Sequence, residues 1–75
     1  MDNRYAQVII DNRASSTDRP YTYLIRPEMI DILQEGMRVL VPFGLGNRKI
    51  LGIVIKIENY YEGKHKLKEI IDIID

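Results

Sequence analysis

The longest β-strand pattern in the chain runs from Arg48 to Glu58, with the sequence RKILGIVIKIE. Side chains of a strand point alternately to two faces, so odd and even positions separate. One face carries Leu51, Ile53, Ile55 and Ile57. The other face carries Ile50, Gly52, Val54 and Lys56. A glycine in the middle of a strand indicates a β-bulge or a tight bend of a barrel, and Gly52 is predicted to mark one of these.

Four shorter segments also have the residue types of strands, and turn residues bound them. They are Tyr5 to Ile10, Tyr21 to Ile25, Met37 to Phe43 and Leu67 to Ile74. Tyr21, Tyr23 and Ile25 share one face of the second segment, so at least one of the two tyrosines is expected in the core.

Two prolines mark the ends of elements. Pro42 has no N–H to donate to a sheet, so it is expected at the end of a strand or on an edge. Pro27 suits the first turn of a helix, and a helical segment of at most two turns is predicted over Glu28 to Gln34. Its apolar face would be formed by Met29, Ile32 and Leu33. Gly36 is predicted to end it.

Five or six short strands with one short helical turn predict a mainly β fold, a small barrel-like domain. Closure into a barrel removes the unpaired edges that an open sheet of this size would expose. With 75 residues the chain makes at most one small domain, over residues 1–75. A complete enzyme usually needs a longer chain, so this sequence is expected to be a module excised from a larger protein.

The composition excludes several classes of site. The chain has no cysteine, which excludes a disulfide scaffold, a thiolate zinc site and a cysteine nucleophile. It has one histidine, which excludes a site with several histidine ligands, so no cofactor is expected. The polar start lacks the apolar stretch of a signal peptide, and no segment approaches the ~20 apolar residues of a membrane span. A cytoplasmic protein without a membrane partner is therefore expected.

No arrangement of residues typical of an enzyme is present, so the fragment is predicted to have no catalytic activity. Gly44-Leu45-Gly46 follows a strand, but another strand and no helix comes next, so a hairpin turn is favoured over a phosphate-binding loop. His65 lies in a lysine-rich polar segment without a partner carboxylate or nucleophile nearby in sequence, which is typical of a solvated histidine.

The net charge of zero conceals an uneven distribution of charge. The 11 lysines and arginines balance 11 acidic residues, yet no acidic residue lies between Glu35 and Glu58. Basic residues of this middle region and the segment after it are Arg38, Arg48, Lys49, Lys56, Lys64, Lys66 and Lys68. Neighbouring strands would gather part of this set into a positive patch that contacts phosphates, with Arg48, Lys49, Lys64 and Lys66 as candidate backbone contacts. Composition alone favours the simpler interpretation that these are lysines of a solvated surface.

Aromatic residues give a second, weaker indication of nucleic-acid binding. The chain has five tyrosines, one phenylalanine and no tryptophan. Tyrosine has a flat face that stacks on a base and a hydroxyl that forms hydrogen bonds, and small barrels that bind single strands combine it with a basic groove. Half-buried tyrosines are also usual in small β domains.

Four blocks of the sequence occur in the order and approximate spacing of one protein family. They are Tyr21-Thr22-Tyr23-Leu24-Ile25-Arg26-Pro27, Gly36-Met37-Arg38-Val39-Leu40-Val41-Pro42-Phe43-Gly44, Gly52-Ile53-Val54 and Leu67-Lys68-Glu69-Ile70-Ile71-Asp72. With them the chain resembles, over about residues 4–75, the N-terminal domain of the bacterial replication-restart helicases, the primosomal protein N′ (PriA) family.

The resemblance implies a function for the domain. In that family a small β-barrel-like module captures the 3′ end of the nascent leading strand at stalled or abandoned replication forks and positions the helicase. The full-length proteins are ATP-dependent 3′-to-5′ DNA helicases with a cysteine-rich zinc module. The resemblance therefore implies as partners a DNA 3′ terminus, the helicase and zinc domains of the same chain, and other primosome proteins.

The resemblance also implies a set of binding residues. The family pocket is built around the aromatic-x-Tyr segment, the glycine of Pro-Phe-Gly and the lysine of the Leu-Lys segment. These correspond here to Tyr21, Thr22, Tyr23, Gly44 and Lys68. Well-known members carry aspartate where this chain has Thr22, so the way in which a 3′-hydroxyl is recognised differs here.

Two other classes of function remain open on the sequence alone. One is a small barrel that binds a strand or loop of a partner protein, with less dependence on salt than DNA binding shows. The other is an RNA- or ribosome-associated barrel, for which a 2′-hydroxyl would improve binding.

Overall fold

The computed structural model describes residues 3–10, 19–63 and 65–74. Its regular elements follow the predicted order: β1 (Arg4–Ile10), β2 (Tyr21–Ile25), a 3-10 helix (Pro27–Met29), β3 (Arg38–Phe43), β4 (Arg48–Glu58) and β5 (Asp72–Ile73). The domain is mainly β, as predicted. The helical segment is shorter than the predicted one: a single 3-10 turn, extended by an i→i−4 bond from the N–H of Leu33 to the carbonyl of Met29.

One antiparallel sheet contains all five strands, in the order β2-β1-β4-β3-β5. The segment before β5 joins the two ends of this order. Leu24 of β2 donates to Lys68 at 2.9 Å and accepts from Ile70 at 3.1 Å, whereas Ile71 donates to Leu40 of β3 at 2.8 Å. These bonds close the sheet into a small barrel.

The last predicted strand is therefore correct in place but too long. Over Leu67 to Ile74 only Asp72–Ile73 forms a ladder, and Glu69 makes an isolated parallel bridge with Leu24. The segment changes its partner from β2 to β3 after Ile70, so it cannot pair continuously with either. This change of partner places Lys68 beside β2.

The core lies inside the barrel. The residues buried there are Ala6, Val8, Tyr23, Ile25, Met29, Leu33, Val39, Val41, Val54 and Ile70. The alternation of β2 predicts at least one of Tyr21 and Tyr23 in the core, and Tyr23, of which 4% is exposed, is the one buried there. Met29 and Leu33 cover one end, whereas Ile32, predicted on the same face, is 58% exposed because the single turn does not continue as an α-helix.

A β-bulge in β4 changes which side chains face the core. In β1, Gln7 pairs with Lys56 and its neighbour Val8 pairs with Val54, so Ile55 is an extra residue. An extra residue reverses the faces of all positions that follow it. The bulge lies at Ile55 and not at Gly52.

The reversal corrects the predicted faces of β4. Leu51, Ile53 and Ile55 point outward and are 39%, 44% and 48% exposed, but Ile57 packs against the core. The prediction that all four share one face is therefore wrong at Ile57. The same reversal puts Glu58 on the outer face, beside β1.

Gly52 is explained by a close approach of two strands. A β-carbon at this position would collide with a methyl group of Val8 and lie 3.0 Å from the carbonyl oxygen of Ile9. Only glycine lets β1 and β4 pair at their normal distance here.

Candidate nucleic-acid interface

A pocket with a volume of about 490 Å³ lies where β2 and the end of β3 face each other across the barrel. Its described lining residues are Pro20, Tyr21, Thr22, Tyr23, Pro42, Phe43, Gly44, Tyr61, Lys66, Leu67 and Lys68. All five residues that the family resemblance assigns to the binding site belong to this set. Two of the lining side chains are cationic and none is acidic, so the pocket favours an anionic ligand.

Two contacts between β2 and β3 build one wall and the floor of the pocket. The hydroxyl of Tyr23 donates a hydrogen bond to the carbonyl oxygen of Pro42 at 2.8 Å. The ring of Tyr21 meets the ring of Phe43 edge to face, with centroids 5.1 Å apart and an interplanar angle of 83°. Tyr21 is only partly buried, so part of its surface remains available to a ligand.

The hydroxyl of Tyr23 stays protonated over the whole physiological range. Burial, and to a smaller extent the neighbouring Tyr21, raises the pKa of Tyr23 to about 12. The floor of the pocket is therefore neutral, and the charge of the pocket comes from its lysines.

Gly44 and Lys68 also line the pocket and contact each other. Gly44 begins the turn after β3 with φ of +77°, in the left-handed region that suits glycine. Its carbonyl oxygen accepts from the N–H of Asn47 at 3.2 Å and from Nζ of Lys68 at 3.0 Å. A β-carbon at Gly44 would have no protein atom within 4 Å, so the space beside it is open.

Thr22 lies at the border between this pocket and a shallow depression on the outer face. Its Oγ1 donates to Oε1 of Gln7 at 3.1 Å, and Nε2 of Gln7 donates to Oε1 of Glu58 at 2.9 Å. Lys56 lies 3.8 Å from the other carboxylate oxygen of Glu58. Thr22 is thus held by a chain of polar side chains that crosses three strands.

Tyr61 is a pocket residue that the sequence patterns do not single out. It is one of two adjacent tyrosines in a polar connection, and only the fold brings it to the site. Its ring lies 5.6 Å from the ring of Tyr5, and Gly63 leaves room for its hydroxyl end, since a β-carbon there would collide with Tyr61. The pairing of aromatic residues in the sequence is the signal that could have indicated it.

The candidate backbone contacts lie at different distances from the pocket. Lys66 lines it, whereas Arg48 and Lys49 are exposed on β4 directly opposite Phe43 and Pro42 and do not line it. Lys64 lies outside the described residues. His65 is exposed, as predicted for a solvated histidine.

The described part of the chain lacks two further features, a cluster of metal-binding side chains and a membrane-spanning helix. Residues 3–10, 19–63 and 65–74 contain no cluster of histidine, cysteine or acidic side chains that could hold a metal ion. Among the same residues no helix has the length and apolar character needed to cross a membrane.

Comparisons with known proteins agree with the resemblance read from the sequence. Residues 7–75 match the PriA 3′ DNA-binding domain (3′BD) family. The chain is 38% identical over 72 residues to the replication restart protein PriA of Bacillus subtilis (strain 168), which covers 95% of this chain and 9% of that relative. No solved structure matches the chain. The family match includes every residue that lines the pocket.

Proposed function

Because the chain belongs to the 3′ DNA-binding domain family of the replication restart protein PriA, it is a DNA-binding domain, and we propose that its pocket receives the terminal nucleotide of a DNA strand with a free 3′-hydroxyl. The observation that carries the proposal is the contact of Lys68 with Gly44 in the pocket that the Tyr21–Phe43 pair also lines.

The size and lining of the pocket suit one nucleotide. Its volume of about 490 Å³ is within the ~300–1,000 Å³ of sites for small ligands. The exposed part of Tyr21 offers an apolar surface to the base or sugar, an interaction that tolerates any base. Little preference for base sequence is therefore expected.

The lysines of the pocket can bind a phosphate of the DNA strand. Lys68 is exposed, and its ammonium has three N–H donors, of which one is directed to Gly44. The other donors can pair with the phosphate that links the last two nucleotides. Lys66 lines the same pocket, and Arg48 and Lys49 can contact phosphates further along the strand.

The polarity of the pocket favours a hydroxyl at the end of the strand. Pro42 belongs to the lining, and its carbonyl oxygen, which accepts from the hydroxyl of Tyr23, can only accept further hydrogen bonds. A 3′-hydroxyl can donate to such an acceptor, whereas a terminal phosphate presents only further acceptors and more bulk.

Titration of two end-labelled duplexes tests this proposal. Both carry the same recessed strand, which ends in a 3′-hydroxyl in one and in a 3′-phosphate in the other. We expect the phosphate to weaken binding at least tenfold at fixed salt, because it adds acceptors against a carbonyl oxygen. Equal affinities would refute recognition of the end, even if binding to DNA in general remained.

We further propose that the module serves a larger protein. The chain spans 9% of the length of its Bacillus relative. In this proposal residues 1–75 bind the 3′ end of the leading strand at a stalled fork. They belong to a cytoplasmic protein that also contains an ATP-dependent helicase and a zinc module. That protein recruits other primosome proteins to the fork. Helicase motifs in the reading frame after Asp75 would support it, and their absence would refute it.

A further inference from the structure

We infer that Glu58, acting through Gln7, fixes the hydroxyl of Thr22 as a hydrogen-bond acceptor and so makes the pocket select a 3′-hydroxyl over a 3′ end that cannot donate. This inference rests on the proposed function, because it concerns the polarity of the same pocket.

The first step concerns the orientation of the Gln7 amide. A glutamine amide has an oxygen at one position and an NH₂ group at the other, and its neighbours decide which way it lies. The carboxylate of Glu58 only accepts hydrogen bonds, and it lies 2.9 Å from Gln7. The NH₂ group of Gln7 must therefore face Glu58, and its carbonyl oxygen must face β2.

The second step transfers this polarity to Thr22. The carbonyl oxygen of Gln7 lies 3.1 Å from Oγ1 of Thr22, and two oxygens at this distance need a proton between them. Gln7 has none to give, so the threonine hydroxyl must donate its only proton. Any further hydrogen bond of Thr22 Oγ1 is then one in which it accepts.

The third step concerns the ligand. Thr22 is a lining residue, and in this inference a nucleotide in the pocket meets its Oγ1, an oxygen that accepts but does not donate. This is the property of a carboxylate oxygen, obtained from a neutral side chain. The negative charge itself sits two strands away on Glu58, where Lys56 lies 3.8 Å from its second oxygen. No acidic side chain is therefore among the described lining residues, where it would repel the phosphates of DNA.

The bulge at Ile55 makes this arrangement feasible. Without the extra residue, Glu58 would share the face of Val54, which is buried in the core. With it, Glu58 lies on the outer face opposite Tyr5, two pairs along from Gln7 and Lys56. Thr22 pairs with Gln7 in the neighbouring ladder, and Glu58 reaches Gln7 diagonally, so the three polar side chains share the outer face.

The test compares ends that differ only in the ability to donate. Duplexes with a recessed strand ending in a 3′-hydroxyl or in a 2′,3′-dideoxynucleotide are titrated against the wild-type domain and four variants. We expect the wild type to bind the hydroxyl end about fivefold more tightly, which is the size of one net hydrogen bond. Thr22→Val should lower this preference for the hydroxyl end, and Thr22→Ser should retain it.

Glu58→Gln is the decisive variant, because it changes nothing that touches the ligand. An amide at position 58 both donates and accepts, so Gln7 is free to turn and the Thr22 hydroxyl is free to donate. The preference for a hydroxyl over a dideoxy end should fall as far as it does in Thr22→Val. Glu62→Gln is the matched control: it removes a negative charge from the same depression without touching Gln7, and it should leave the preference unchanged.

The outcomes separate the two proposals. If the wild type discriminates against a 3′-phosphate but Glu58→Gln keeps the full preference for a hydroxyl over a dideoxy end, this inference is refuted and the proposed function stands. A wild type without that preference likewise refutes it. If neither modified end weakens binding, the proposed function fails as well. Thermal unfolding of each variant establishes that it is folded. If Thr22→Val keeps the wild-type preference for a hydroxyl over a dideoxy end, that result alone refutes the role of Thr22.

Discussion

Nζ of Lys68 lies 3.0 Å from the carbonyl oxygen of Gly44, although 24 residues separate them in sequence. The contact depends on the closure of the barrel, because Lys68 belongs to the segment that pairs with β2 whereas Gly44 follows β3. It brings a cation to a turn whose glycine leaves open space beside it. The candidate site is therefore a product of closure and not of any single motif.

Lys68→Ala should weaken binding to a recessed 3′-hydroxyl end about tenfold, because it removes a charge-assisted hydrogen bond to the terminal phosphate. Titrations at several salt concentrations should show the salt slope reduced by about one. Lys49→Ala is the comparison, since this exposed lysine does not line the pocket. It should weaken binding to hydroxyl and phosphate ends alike. An unchanged affinity of Lys68→Ala at low salt would contradict the role of Lys68.

Gly44→Ala should lower both the stability of the fold and the affinity for DNA. Gly44 and Gly36 have φ of +77° and +94°, so a side chain costs about 1 kcal/mol of folding free energy at either position. In both cases a β-carbon would have no protein atom within 4 Å. Gly36→Ala is therefore a matched control, and it should lose stability alone. The idea fails if the two variants, each measured while folded, bind the 3′ end equally well.

Tyr21→Ala should weaken binding by about 1–3 kcal/mol if the ring supports the terminal nucleotide. Tyr60→Ala is the matched control, since Tyr60 is 67% exposed and does not line the pocket. Fluorescence anisotropy with a labelled 3′-recessed duplex measures both. The assignment of Tyr21 would be wrong if both variants bound like the wild type while remaining folded.

The domain should lose stability in alkaline solution, because Tyr23 is buried with its hydroxyl protonated. Its pKa is 10.0 in the unfolded chain and about 12 in the fold, so the unfolded state releases its proton first as the pH rises. Below pH 10.0 Tyr23 makes its full contribution to the free energy of unfolding. Up to roughly 3 kcal/mol of that contribution is lost as the pH rises through about 12. Urea unfolding from pH 8 to 12 should show a smaller decline for Tyr23→Phe than for the wild type. Equal declines would contradict the role of burial.

Tyr23→Phe should also cost about 1 kcal/mol at neutral pH, because the carbonyl of Pro42 loses its donor from β2. Tyr60→Phe serves as the control in both comparisons, since Tyr60 is exposed. A Tyr23→Phe variant as stable as the wild type at pH 7 would show that this hydrogen bond between β2 and β3 is replaced by another one.

Gly52→Ala should destabilise the fold by about 1–3 kcal/mol without a specific effect on the pocket. The added methyl group would collide with Val8 and lie 3.0 Å from the backbone of Ile9. Gly46→Ala is the matched control, because the nearest atom to its β-carbon would be Cγ of Arg48 at 3.9 Å. Urea unfolding of both measures the difference, and similar stabilities would contradict the close approach of β1 and β4.

Much of the fold could be predicted from local patterns. Alternation placed β2 and β4 correctly to the residue, and it predicted that at least one of Tyr21 and Tyr23 lies in the core, which Tyr23 does. The pattern failed where pairing partners decide the structure. Nothing in RKILGIVIKIE shows that Ile55 is an extra residue, because a bulge is defined by the register with β1.

The sequence by itself determined a small, mainly β domain of the PriA 3′ DNA-binding family, because strand alternation, turn residues and the four family blocks are all local in the chain. Only the tertiary structure decided how Thr22 is held and that Tyr61 joins the pocket. Side chains from β1, β2 and β4 become neighbours through register and barrel closure, which are long-range properties that no local pattern contains.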